Sequence, residues 1–147
     1  MMKDKFSLFL FYSLISFISI PVQADQTIFV ENVWIREAPP TVKTLAAYMT
    51  LRNPTDNDIS LICVESPTFT NVMFHRTEIK DGMAKMRHAD EIIIPSHASF
   101  ELTPGNYHMM LLGMKKPLKE GDSVELTLIF KNADNQKVFA VVKKDCC

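Results

Sequence analysis

Residues 105–114 read GNYHMMLLGM and set His108 and Met110 two positions apart in what otherwise reads as a strand. Side chains alternate faces along a strand, so His108, Met110 and Leu112 share one side while Tyr107, Met109 and Leu111 share the other. An imidazole beside a thioether is a soft, neutral donor pair. A core strand accounts for the same residues, with Met filling gaps and His making one hydrogen bond. A second segment offers partners. NVMFHRTEI and MAKMRHAD flank Asp81-Gly82, a two-residue hairpin signal. If that turn pairs Lys80 with Met83, His75 falls opposite His88 and Met86 opposite Thr77. His75, Met86 and His88 then share a face near one end of a sheet, and with His108 and Met110 they make five candidate ligands.

The chemistry of such a set is selective. Thioethers are soft donors suited to Cu(I), imidazole accepts copper in either oxidation state, and hard cations such as Mg²⁺ or Ca²⁺ require oxygen. Thiolates would hold Cu(I) more tightly, but in an oxidising compartment they become disulfides, whereas methionine forms none. Zinc fits less well, because its sites favour Cys, His and carboxylate.

The elements that must position these residues read as β throughout. TLAAYMTLRN alternates Leu45, Ala47, Met49 and Leu51 against Thr44, Tyr48, Thr50 and Arg52, and DSVELTLIFKN does the same with Val124, Leu126, Leu128 and Phe130. Further strands are expected over 27–36, 58–65, 70–79, 83–89, 98–102, 106–112 and 136–143. Turn signals separate them, among them Pro39-Pro40, the run Asn53 to Asp58, Asp81-Gly82, Pro104-Gly105 and Gly121-Asp122. Many short strands at this spacing predict an all-β, antiparallel β-sandwich.

The chain has 147 residues. Its start, MMKDKFSLFLFYSLISFISIPVQADQ, carries Lys3 and Lys5, an apolar run from Phe6 to Ile20 and the small-residue exit Val22-Gln23-Ala24, the pattern of a secretory signal peptide. The run spans 15 residues, short of the roughly 20 a membrane-spanning helix needs. Residues 1–24 are thus expected to be a signal peptide cleaved after Ala24, and 25–147 a single copper-binding β-sandwich domain in the periplasm. No cysteine stands at the exit, so a lipid-anchored form is not expected. No later segment predicts a membrane span. From residue 25 onward the chain holds 14 basic and 16 acidic residues, which gives no basic footprint for nucleic acid. The three cysteines, Cys63, Cys146 and Cys147, are an odd number and describe no closed disulfide framework.

Ten residues separate His75 from Met86, twenty-one separate Met86 from His108, and His108-x-Met110 closes the set. This H-x10-M-x21-H-x-M pattern resembles that of the periplasmic copper chaperones of the PCu(A)C family. The similarity extends through VWIREAPP, AAYMTLRN, DGMAKMR and YHMMLLGMKKPLKEGD, most of residues 30–125. The resemblance implies a cupredoxin-like β-sandwich that binds one Cu(I) through His75, Met86, His108 and Met110. It also implies delivery to an extracytoplasmic acceptor: the binuclear copper site of cytochrome c oxidase subunit II, or another copper chaperone. Some members carry a His- and Met-rich tail that takes a second copper. This chain ends in KKDCC, so a second site of that kind is not expected.

Other residues have plainer readings. His88 lies off the recognised spacing and reads as a neighbour of the site or a solvent-facing residue, and His97 as a loop histidine. Met83 and Met114 read as core or rim packing, and Trp34 as core. Cys63 shares an expected face with Ile59 and Leu61 and reads as a buried thiol. A blue-copper electron carrier would need a His₂Cys centre, and no such cluster follows Cys63. No nucleophile elbow, phosphate loop or general acid–base pair suggests an enzyme. A copper storage or scavenging protein, or a binding module without metal, remains the alternative to a chaperone.

Overall fold

The computed structural model describes residues 27–144. Within them run ten strands: β1 (Phe29–Arg36), β2 (Leu45–Arg52), β3 (Ile59–Glu65), β4 (Asn71–Lys80), β5 (Met83–Ala89), β6 (Ile92–Ile94), β7 (Ser99–Leu102), β8 (Tyr107–Leu112), β9 (Ser123–Phe130) and β10 (Gln136–Lys143). The described residues form a single all-β domain without a helix, as the alternation predicts.

Strands follow one hydrogen-bonded path, β5-β4-β8-β2-β1-β10-β9-β3-β6, with β7 paired to β2. Although β3 and β4 are far apart along that path, they come into contact, so the sheet closes over itself around one core. Alternation along each strand supplies that core. Leu45, Ala47, Met49 and Leu51 of β2 meet Phe74 of β4, Met109 and Leu111 of β8, and Val124, Leu126, Leu128 and Phe130 of β9 in one buried cluster.

Three features depart from the sequence expectation. First, the sandwich is not wholly antiparallel: β1 and β10 pair in parallel, with Trp34 beside Val141 and Arg36 beside Lys143. These are the first and last strands, and the whole domain between them serves as the crossover that a parallel pair requires. Second, β6 is a strand that the alternation did not announce. Three consecutive isoleucines carry no periodicity, and pairing to β3 is what defines them. Third, Cys63 is exposed rather than buried. The β3–β9 register shifts between Leu61 and Cys63, and this bulge turns both Ile62 and Cys63 outward before Val64 returns to the core.

The run Asn53 to Asp58 is more than a turn. Asn53 is buried; its Nδ2 donates to the carbonyls of Asn57 (2.7 Å) and Ile94 (3.0 Å), and its Oδ1 accepts from the Thr55 amide (3.0 Å) and hydroxyl (2.8 Å). One amide side chain thereby ties the β2–β3 loop to β6.

Candidate metal site

The β4–β5 hairpin closes as expected. Asp81 and Gly82 have φ of 54° and 74°, the pair of positive values that a type I′ turn demands. Lys80 pairs with Met83, which sets the register outward: Thr77 opposite Met86 and His75 opposite His88. On its other side β4 pairs with β8, bringing His75 opposite His108 and Met73 opposite Met110. Directly opposed residues in a sheet share a face. His88, His75 and His108 therefore form a row across three adjacent strands, with Met86 on one side of it and Met73 and Met110 on the other.

The rings are neighbours. The His75 and His88 centroids lie 5.7 Å apart, edge to face, and those of His75 and His108 lie 6.1 Å apart. Burial grades across the row. His108 on β8 is 5% exposed, His75 on β4 is half-buried and His88 on the edge strand β5 is exposed. The sulfurs follow the same gradient: Met110 and Met73 are half-buried, whereas Met86 is 64% exposed.

Hydrogen bonding fixes which nitrogen of His108 carries the lone pair. His108 Nδ1 lies 3.0 Å from the Asn106 carbonyl. A carbonyl only accepts, so Nδ1 is the donor and Nε2 of the neutral ring is left as a base. The same carbonyl also accepts from the Thr77 amide at 3.2 Å, linking β8 to β4 beside the row. Asn106 is held by the turn at Pro104-Gly105, in which its amide donates to the Thr103 carbonyl and the Thr103 amide donates to the Tyr107 carbonyl. His75 Nδ1 is buried and has no hydrogen-bond partner among the described residues. Such an orphaned atom is costly unless something occupies it. Burial, and then the charges His108 and His88 would carry if protonated, hold the His75 pKa below its ordinary 6.5, so the ring favours its neutral, lone-pair-bearing form. At the outer end His88 Nε2 lies 3.5 Å from the Asp90 carboxylate.

The structure thus brings all four residues of the spacing pattern, His75, Met86, His108 and Met110, to one face. It also adds a residue that the sequence reading passed over. Met73 precedes His75 as Met110 follows His108, and the two methionines are opposed across β4 and β8. Its signal was Met-x-His on an alternating strand. Of the remaining candidates, Met83 faces the other side of β5 and is 58% exposed at the hairpin tip, so it is not core. Met114 packs against the core, as expected. His97 is a turn residue whose Nε2 lies 2.7 Å from Asp56 Oδ1. Trp34 is not in the core: its neighbour Ile35 takes that side of β1, and the half-buried indole lies 4.6 Å from the Tyr48 ring on the other. Cys146 and Cys147 lie outside the described residues.

Among the described residues no three His, Cys, Asp or Glu side chains form a ready-made metal cage. That is consistent with donors that are half thioether and spread along an open face. A cleft of about 600 Å³ lies elsewhere, bounded by Cys63, Glu65, Thr70, Glu125 and their neighbours, and has no His or Met in its lining. Metal capture by a sheet face needs no cleft.

Fold and face together define a small β-domain presenting a neutral nitrogen–sulfur donor surface. Within that class the chain belongs to the LpqE-like family, whose model matches residues 28–142. A relative from Leifsonia xyli subsp. xyli, "Putative lipoprotein Lxx21020", is 29% identical over 115 residues, covering 78% of this chain and 68% of its own. Among solved structures, the copper-bound PCuAC domain from PmoF2 is 27% identical with a TM-score of 0.71, covering 83% of this chain and 97% of that one. The solution structure of Cu(I)-bound DR1885 from Deinococcus radiodurans is 32% identical with a TM-score of 0.64, covering 84% and 80% respectively. The chain is a homologue of copper-binding PCuAC domains, which agrees with the resemblance read from its motifs.

Proposed function

We propose that this protein is an exported Cu(I) metallochaperone and not an enzyme, with His75, Met86, His108 and Met110 as the ligands. The observation that carries the reading is the state of the donors. His108 offers a lone pair at Nε2, and His75 presents the unpartnered, buried Nδ1, beside thioethers on the same face. A set of neutral thioether and imidazole donors selects Cu(I) over Zn²⁺ and over hard cations. The copper bound in the PmoF2 and DR1885 structures supports the same cargo. In this reading residues 1–24 are the signal peptide, residues 25–147 the mature periplasmic domain, and the recipient is the binuclear copper site of cytochrome c oxidase subunit II or another copper chaperone.

Titration with Cu(I) against a chromogenic competing chelator under reducing conditions tests the first step. One equivalent should bind, and His75→Ala or His108→Ala should weaken it at least about tenfold. Mixing the Cu(I)-loaded protein with an apo subunit II domain tests the second. Copper that stays with the donor would make this a storage or scavenging protein, and absence of Cu(I) binding would leave a β-domain with some non-metal partner.

A further inference from the structure

His88 lies outside the spacing pattern, yet it stands directly opposite His75, with the rings 5.7 Å apart, at the outer end of a three-imidazole row. We propose that His75, His88 and His108 form a second, all-nitrogen donor set on this face that takes Cu(II). The proposal rests on the copper reading above and extends it to the other oxidation state. Cu(II) prefers tetragonal nitrogen and oxygen ligation, which thioethers do not supply and three imidazoles do. The three rings do not converge on one point as they stand; with neighbouring strands about 4.8 Å apart, those on β5 and β8 have to turn toward the central His75, which needs no change of register. Asp90 suits the outer end: its carboxylate, 3.5 Å from His88 Nε2, adds a negative charge beside a dication. Because both sets use His75 and His108, the domain holds one copper ion in either state and never two.

The test uses the protein with Cys63, Cys146 and Cys147 replaced by Ser, since free thiols reduce Cu(II). Cu(II) alone is added, affinity is measured by competition with a calibrated chelator, and coordinated imidazoles are counted from nitrogen hyperfine and spin-echo modulation in electron paramagnetic resonance. The expected result is one Cu(II) with three imidazoles. His88→Ala should reduce the count to two and weaken Cu(II) at least about tenfold, while Cu(I) affinity moves less than about threefold. Met86→Leu should do the reverse. His88→Gln, which preserves bulk and polarity on an exposed edge strand, repeats the measurement if the alanine variant folds poorly. Unchanged Cu(II) affinity and imidazole count in the His88 variants overturn the proposal, and so does an equal loss of Cu(I), which would place His88 in the Cu(I) set. If instead Met86→Leu leaves Cu(I) binding intact, the Cu(I) ligand assignment fails and the Cu(II) set stands on its own result.

Discussion

Met86→Leu separates ligation from packing more cleanly than any other single change. A methionine in a β-domain ordinarily has a core explanation, but Met86 is 64% exposed on a strand paired along one edge only. Exposed substitutions of this kind move stability by no more than about 0.5 kcal/mol, and even in a packed core a Met-to-Leu swap usually costs under about 1.5 kcal/mol. The melting temperature should therefore stay within a few degrees of wild type. Loss of one thioether from a four-donor site should weaken Cu(I) at least about tenfold, or about 1.4 kcal/mol. Met83→Leu is the matched control. It changes the same residue type on the same strand at 58% exposure, but on the opposite face, and should alter neither quantity. The assay is chelator competition under reducing conditions, with copper–sulfur scattering in X-ray absorption as an independent count of sulfurs. Wild-type affinity in Met86→Leu, or an equal loss in Met83→Leu, would refute the assignment of Met86 to the site.

Proton competition should be weak at neutral pH for His75, the central proposed ligand. Because the folded His75 pKa is depressed by burial and by its two histidine neighbours, the unfolded chain takes up the proton first as pH falls. Its contribution to apo stability is complete above 6.5 and is lost as pH drops from there through the lowered folded value. An NMR titration of the His75 ring should give a midpoint below 6.5, and a midpoint above it would contradict the burial argument. Asn53→Ala should destabilise the fold by about 3 kcal/mol or more, since it strips partners from the Ile94 and Asn57 carbonyls and the Thr55 amide at a buried position; a denaturant midpoint close to wild type would show the loop to be independently stable. Gly113→Ala should cost several kcal/mol, because its φ of 64° disfavours any side chain and a Cβ there would collide with Thr70. Thermal melts report it, and an unshifted transition would mean that the β8 exit relaxes freely.

The sequence carried the placement of the candidate ligands further than it carried the fold's irregularities. His75 opposite His88 and Met86 opposite Thr77 followed from Asp81-Gly82 alone, because a two-residue turn leaves no freedom in the register of the strands it joins. The core faces of β2 and β9 followed from strict alternation. Alternation fails where backbone geometry intervenes: the bulge at Ile62 and Cys63 reverses the side on which the thiol lies, and nothing in the residue types there announces it. Trp34 was misplaced for a related reason. Size and apolarity suggested the core, but Ile35 holds that side of β1, and the indole instead covers Tyr48. Pairings between distant segments, such as β4 with β8 or β1 with β10, are set by the whole fold. Hence Met73 opposite Met110 was not legible from either segment read by itself.

The gradient of burial across β8, β4 and β5 gives the proposed copper transfer a physical order. His108 is nearly enclosed, with its ring pinned to a carbonyl that also fastens β4, so its nitrogen is the least able to move. His75 stands between, and Met86 lies outermost on a side chain with three rotatable bonds. Ligands of this kind are neutral and individually weak, so an incoming donor from an acceptor can replace Met86 without first stripping charge or breaking the fold. The buried nitrogens would hold the ion while the outer position changes hands. A cage with all four donors enclosed would bind as well but would have to open before it released anything. On this argument the exposure of Met86, an oddity for a large apolar side chain, is what permits exchange. Enclosing it, for instance by bulky residues at Ala84 or Thr77 beside it on the same face, should slow transfer to an acceptor while leaving the affinity for Cu(I) nearly unchanged.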